Sequence, residues 1–220
     1  MIKIALTKGR IEKQILPLFK AARIHCKELS QKERKLIFNE DPRYEIILVK
    51  AQDVLTYLNQ GSVQIGIVGS DTLSEQDNRQ YDMLDLGVGR CRFVLASDYN
   101  FDPQQTRRKI IATKYPNITK KYFQSIGEDV EIIRIEGSVE LAPLTGLSDA
   151  IVDIVQTGRT LRENHLKVYA KLQPVSAQLA VNRLALKQYR SEIRNLISNL
   201  KKAQVSLGIS KENYNAPSSY

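Results

Sequence analysis

Short apolar runs rich in β-branched residues alternate along this chain with longer segments of helical period, an order that confines it to the α/β class with mainly parallel sheets. Residues 2–6 read as a first strand. A helix follows over 10–22, with Ile11, Ile15, Leu18 and Phe19 on one face and Pro17 as a local irregularity. Residues 45–49 and 64–68 are the next strands. Between them Asp53 is placed to cap a helix over 54–59, which Gly61 stops. Strands at 83–86 and 93–96 flank Gly87-Val88-Gly89-Arg90, where two glycines permit a closely approached backbone.

The pattern then starts afresh: strand 110–113, helix 119–126, strand 130–135 and, after a mixed stretch, strand 150–155. That restart predicts a second lobe. Residues 167–185 return to extended, alternating character, and a helix over 188–203 has Tyr189, Ile193, Leu196, Ile197 and Leu200 on one side. The expected organisation is two α/β lobes with a central cleft. Residues 1–90 plus about 170–204 form a discontinuous first lobe and 91–169 the second. Residues 205–220, polar with Gly208 and Pro217, form a mobile tail. In such sheets, ligands bind outside the carboxyl ends of the strands.

Composition removes several function classes. The 220 residues are 42% hydrophobic and 26% charged, within the globular range and far from disordered chains. The net charge of +9 invites a nucleic-acid reading, but the cations are spread along the chain without a recognised nucleic-acid-binding motif. A basic cleft for phosphorylated metabolites fits better. Cys26 and Cys91 lack metal-ligand or disulfide-framework spacing, and no apolar run approaches a signal core or a membrane span. The expected setting is the cytoplasm, with neither nucleic acid nor membrane as partner and no protein metal cage.

The segment 148–164, SDAIVDIVQTGRTLREN, carries the chemistry: an apolar strand delivers an acid, then a small-residue loop opens a helix. Gly158 lets the backbone approach a ligand, Thr157 and Thr160 offer hydroxyls, and amides near Leu161 face an anion. Asp149 and Asp153 share one strand face by alternation and suit sugar hydroxyls. Taken alone, the same residues also read as an ordinary helix cap and a strand-end carboxylate.

The wider block from Glu136 to Asn164 resembles the ATP phosphoribosyltransferases, through Glu140, Gly146, Ser148, Ile151, Asp153, Ile154, Thr157, Gly158, Thr160 and Leu161. The similarity extends to LTKGR at 6–10, RKLIF at 34–38, GIVGSD at 66–71 and DLGVGRCR at 85–92, and the length is that of the family's short form. The resemblance implies a two-lobed fold like the type II periplasmic binding proteins. It also implies a reaction that joins N1 of ATP to C1 of phosphoribosyl pyrophosphate with Mg²⁺ present, releasing pyrophosphate and opening histidine biosynthesis.

By the same resemblance, Asp149, Asp153, Thr157, Gly158, Arg159, Thr160 and Leu161 would bind phosphoribosyl pyrophosphate. Arg34 and Lys50 would act on the departing pyrophosphate. Lys8, Gly9, Arg10, Gly69, Asp71, Gly89 and Arg90 would bind ATP. Position 50 is more often arginine in the family, and Ser70 stands where lysine is frequent. The implied partners are a regulatory subunit similar to histidyl-tRNA synthetase, in a hetero-octamer, and a second copy of the chain in a homodimer. The alternative within this fold is a non-catalytic nucleotide-binding module.

Overall fold

Apolar residues at nearly every position of the central strands require cover on both sheet faces, and that cover comes from helices. The computed structural model describes residues 1–76 and 81–209. In chain order these form β1 (Ile2–Thr7), α1 (Arg10–Ala21), α2 (Lys27–Ser30), β2 (Ile37–Phe38), β3 (Tyr44–Val49), α3 (Ala51–Asn59), β4 (Ile65–Gly69), α4 (Ser70–Glu75) and β5 (Tyr81–Asp85). They continue as β6 (Cys91–Ser97), β7 (Lys109–Thr113), α5 (Pro116–Ser125), β8 (Val130–Arg134), α6 (Leu141–Leu144), β9 (Ala150–Val155), α7 (Arg159–Glu163) and β10 (Lys167–Val175). The last elements are β11 (Ala177–Val181), α8 (Arg183–Gln188) and α9 (Arg190–Ser206).

Two compact units result. Among the described residues the first holds 1–73, 81–90 and 176–209, and the second holds 74–76 and 91–175. The first sheet runs β2-β3-β1-β4-β11-β5, with β1 parallel to β3 and β4, and β11 antiparallel to β4 and β5. On one face, Ile4, Leu6, Ile46, Leu48, Ile65 and Ile67 pack with Ile15, Leu18 and Phe19 of α1 and Ile193, Leu196 and Leu200 of α9. The opposite face sets Ala5, Val68 and Ala180 against Val54, Leu55 and Leu58 of α3. Each fully buried aliphatic side chain contributes about 1.5–3 kcal/mol, so these two layers dominate the unit's stability.

The second sheet runs β10-β6-β9-β7-β8, with β7 parallel to β8 and β9, and β6 antiparallel to β9 and β10. Phe93, Ile111, Phe123 and Val152 form a cluster on one face, and Val94, Ala112, Ile151 and Leu161 form one on the other. No helix among the described residues is long and apolar enough to cross a membrane.

Several boundaries differ from the expectation, among them the start of α5 at Pro116 and the helix α8 over Arg183–Gln188 where extended chain is expected to reach 185. Helix α3 begins at Ala51, so Lys50 is its N-cap and Asp53 lies in the first turn, where a carboxylate favours the positive end of the helix dipole. Strand β10 stays paired with β6 as far as Val175, with irregularities between Val168 and Ala170 and between Lys171 and Pro174. Those bulges carry the strand past Pro174, which has no amide to donate, and the chain rejoins the first sheet only after Val175. Helix α9 runs to Ser206 and Ile209 packs on the first core, so 205–209 are not a free tail. Residues 210–220 of the expected tail lie outside the described residues.

At the other end of the first sheet, Asp41 is 1% exposed and organises the approach to β3. Its carboxylate accepts from the His25 amide at 3.0 Å, the Arg43 amide at 2.9 Å and the Arg43 guanidinium at 2.8–2.9 Å. Burial alone would raise its pKa, but the hydrogen bonds from Arg43 and His25 and the guanidinium charge outweigh that and hold it down to about 2. A carboxyl depressed in the folded state contributes stability above its unfolded value and loses it as pH falls through the folded one. The stability gap between the parent and Asp41→Asn in denaturant unfolding should therefore be widest from about pH 4 upward and narrow towards pH 2. A gap constant across that window would rule out the charge as its source.

Candidate active site

The registers of the first sheet bring distant sequence segments to one edge. Thr7 pairs with Val49, Leu6 with Ile67, and Ala177 with Gly69, so β1, β3 and β4 end together where β11 begins. β5 pairs antiparallel with β11 and therefore also ends there, at Asp85. Each strand end is followed by candidate residues: Lys8, Gly9 and Arg10 after β1, Lys50 after β3, Ser70 and Asp71 after β4, and Gly89 and Arg90 after β5. The short β2 adds one more. It pairs Ile37 with Ile47 and Phe38 with Ile46, and the Leu48 amide donates to the Leu36 carbonyl at 2.8 Å. Arg34 lies three residues before this strand, in a bend.

The local geometry at this edge is tightly specified. Gly9 adopts φ 95°, ψ −120°, a conformation open only to glycine, and donates its amide to Glu12 Oε2 at 3.0 Å. Helix α1 grips Gly89 by both backbone groups, because Gln14 Oε1 accepts its amide at 2.7 Å and Arg10 donates to its carbonyl at 3.3 Å. A carboxylate oxygen of Asp71 lies 1.9 Å from where a Cβ on Gly69 would stand, so only glycine lets this acid fold back over the strand end. Ser70 donates its amide to the Ser176 carbonyl at 2.8 Å, and Ser176 Oγ donates to Asp85 at 2.8 Å. Among the described residues the exposed cations Lys8, Arg34 and Lys50 have no ion-pair partner, which leaves them available to an anion.

In the second unit β7, β8 and β9 also end at one edge, since Thr113 pairs with both Arg134 and Val152. The chain leaves β9 through Gln156 and Thr157 and turns at Gly158, which is left-handed at φ 66°, ψ 7° and caps α7. The opening amides of a helix lack intrahelical acceptors, so residues 157–160 place backbone donors at this turn, where the Arg159 amide meets Thr157 Oγ1 at 3.5 Å. Leu161 contributes only backbone to it, because its side chain is 4% exposed within the core beneath. The Arg159 guanidinium reaches Glu163 at 2.7 Å. Asp153 is half-buried two residues before the strand ends.

Asp149 is not part of that turn. It precedes β9, at the opposite end of a six-residue strand that spans roughly 20 Å at the usual rise per residue. Its carboxylate is held in two places by Arg107 and accepts the Ile110 amide at 2.7 Å. Burial would raise its pKa, but the Arg107 side chain and the Ile110 amide hold it below the usual carboxylate range. Alternation speaks of the side a residue faces within a strand and says nothing of position along it.

Several residues at the first edge escape sequence reasoning: Glu12, Gln14, Lys32, Asp85 and Ser176. Their contacts at this edge reach up to 106 residues along the chain, from Ser176 to Ser70, whereas the capping relation of Glu12 to Gly9 leaves a local signal. No cluster of three or more His, Cys, Asp or Glu suited to a metal occurs among the described residues. The Cys26 thiol is pushed up by burial, which disfavours a thiolate.

The placement of Asp149 separates stability from binding. Asp149→Asn should cost roughly 1–3 kcal/mol in unfolding by weakening its bonds to Arg107 and Ile110. Ligand affinity per folded molecule should stay unchanged in calorimetry. A loss of affinity with unchanged stability would return Asp149 to the binding site.

Comparison with known proteins gives a consistent picture. The family model HisG, ATP phosphoribosyltransferase, matches residues 50–202. An ATP phosphoribosyltransferase of Lacticaseibacillus casei is 68% identical over 203 residues, 92% of this chain and 96% of that protein. One from Lactiplantibacillus plantarum is 60% identical over 200 residues, 90% of this chain and 92% of that protein. Among solved structures, the ATP phosphoribosyl transferase (HisG:HisZ) complex from Thermotoga maritima aligns with TM-score 0.77 and 33% identity, covering 92% of this chain and 98% of that one. The periplasmic aliphatic sulphonate binding protein of Escherichia coli aligns with TM-score 0.58 at 14% identity, over 96% of this chain and 75% of that one, a likeness of fold alone. With a family model over most of its length and close relatives over nine-tenths of it, the chain belongs to the ATP phosphoribosyltransferase family.

Proposed function

We propose that this chain transfers the phosphoribosyl group of phosphoribosyl pyrophosphate to N1 of ATP, the first step of histidine biosynthesis. The adenine N1 lone pair forms the bond to ribose C1, and the bond from C1 to pyrophosphate breaks with its electrons leaving on oxygen. The observation that carries the reading is the pair of strand-end edges. One gathers glycine approaches and the exposed cations Lys8, Arg34 and Lys50, which have no ion-pair partner among the described residues, and the other carries the left-handed Gly158 turn beside an acid.

On this reading Thr157, Gly158, Arg159 and Thr160 and the Leu161 amide hold the 5′-phosphate, and Asp153 accepts from ribose hydroxyls. Arg34 and Lys50 neutralise the departing pyrophosphate. Lys50 is the N-cap of α3 and makes no capping bond, so the first-turn amides of that helix add to its charge. Lys8, Arg10 and Arg90 serve the triphosphate, Gly9, Gly69 and Gly89 admit the nucleotide to the backbone, and Asp71 offers an acceptor. N1 is already a nucleophile, so no protein base is required, and catalysis rests on positioning and charge stabilisation.

Mg²⁺ carried by the substrate would need little from the protein: Asp153 would offer one carboxylate, and phosphate oxygens and water would complete the shell. When bound there, the ion would screen the negative charge of the pyrophosphate. A cytoplasmic setting, a homodimer and a regulatory subunit similar to histidyl-tRNA synthetase complete the proposal. The HisG:HisZ complex from Thermotoga maritima supports such a partner, and the proposed assembly with it is a hetero-octamer.

The purified chain, with Mg²⁺ and both substrates, should form phosphoribosyl-ATP, followed by ultraviolet absorbance with and without the regulatory subunit. No product in either condition from a folded chain would defeat the proposal. Thr160→Ala and Asp153→Asn should each lower kcat/KM by about ten- to a hundredfold, the scale of a hydrogen bond to a charged group. Unchanged thermal midpoints would show that the loss is local.

A further inference from the structure

Resting on the phosphoribosyl-transfer reading, we infer that Glu12 is a positioning residue: one buried carboxylate fixes both the Gly9 turn and the segment that presents Arg34. Glu12 lies in the first turn of α1 and is 5% exposed. One oxygen accepts the Gly9 amide at 3.0 Å, and the other meets Lys32 Nζ at 2.6 Å. A buried carboxylate is tolerated only when both its charge and its lone pairs are satisfied, and here the two oxygens are satisfied by different parts of the chain.

The helix cap alone does not require an acid. A glutamine at this third helical position could accept the Gly9 amide equally well. What glutamine cannot supply is the charge that holds Lys32, so the negative charge is explained by the tie to residue 32.

That tie matters because of what lies beside it. Lys32 follows the end of α2 and stands two residues before Arg34. Downstream, the Leu36 carbonyl accepts from the Leu48 amide and Phe38 is buried to 1% exposure. Glu33, Arg34 and Lys35 are exposed between these two anchors. Arg34 is therefore carried on a three-residue span fixed upstream by Lys32 and downstream by β2. The same carboxylate sets the amide of Gly9, whose neighbours Lys8 and Arg10 belong to the nucleotide side of the edge. Pairing with Glu12 also neutralises Lys32, so Arg34 and Lys50 remain the cations directed at pyrophosphate.

The test combines hydrogen exchange with a double-mutant cycle on the full chain. In Glu12→Gln, amide exchange in residues 31–36 should rise several-fold, and kcat should fall by about tenfold, a modest share of what misplacement of a reacting group can cost. In an Arg34→Ala background the same substitution should cost less than about twofold, since a residue acting through Arg34 has nothing left to position. A merely structural role would cost the same factor in both backgrounds, and that result would overturn the inference. Unchanged exchange in 31–36 would also overturn it, and this arm needs no activity. Absence of product from the unaltered chain would instead fail the phosphoribosyl-transfer reading and leave the exchange result to decide the tie. Should Glu12→Gln fold poorly, the neutral pair Glu12→Gln with Lys32→Gln carries the same cycle without a lone buried charge.

Discussion

Parallel pairing of β1 with both β3 and β4 is the constraint from which the first unit's chemistry follows. Parallel neighbours must end at the same edge, and each must be followed by a crossover, so every turn that leaves the sheet does so beside the others. The Lys8 amide donates to the Val49 carbonyl at 2.9 Å, which extends the ladder one residue past β1 and fixes the direction of the Gly9 turn. Insertion of antiparallel β11 between β4 and β5 then brings Ser176 to that edge, where it joins Ser70 to Asp85. The second sheet repeats the arrangement with β7, β8 and β9, and its anion turn emerges from the last of these.

Legibility in the sequence followed the strength of the local signal. Strands β1, β3, β4 and β9 are legible because burial on both faces writes a predominantly apolar run, interrupted only by Lys3, Thr7, Glu45 and Asp153, and α1 and α9 because their apolar positions recur at helical spacing. The short α2, α4 and α6 span four to six residues and contain too little period to detect, and β2 has only two. Residues of the anion turn were readable because Gly158 and its threonines adjoin the strand they terminate. Asp149 was misplaced because its true partner, Arg107, lies 42 residues away in a polar stretch with no pattern of its own. The Glu12 to Lys32 tie and the Gln14 to Gly89 bond are invisible for the same reason: each joins segments that only the tertiary fold brings together.

Charge follows a similar division. Several of the 33 lysines and arginines are held in neutral pairs that hold structure, such as Arg43 with Asp41, Lys109 with Glu128 and Arg107 with Asp149, and these leave the net +9 to the remaining cations. Such pairs contribute geometry more than attraction for a ligand, since each neutralises its own field. Lys8, Arg34 and Lys50 differ: among the described residues they have no ion-pair partner, so their charge is not neutralised within the fold.

The helix starts at these edges are locally poor, and that deficit fits the proposed chemistry. A serine or aspartate as N-cap of α3 would stabilise the helix by about 1 kcal/mol, yet Lys50 has no acceptor and adds positive charge at the positive end of the dipole. Asp53 in the first turn offsets part of this. Gly9 begins α1 from a backbone conformation that only glycine tolerates, and Gly158 begins α7 from the left-handed region with no side-chain cap. At each start the N-cap residue itself makes no side-chain cap to the first-turn amides; Glu12 accepts the Gly9 amide, and the Arg159 amide reaches Thr157 Oγ1 only at 3.5 Å. Phosphate oxygens would supply both the missing acceptors and the missing negative charge, so the local sacrifice of stability becomes affinity for polyphosphate.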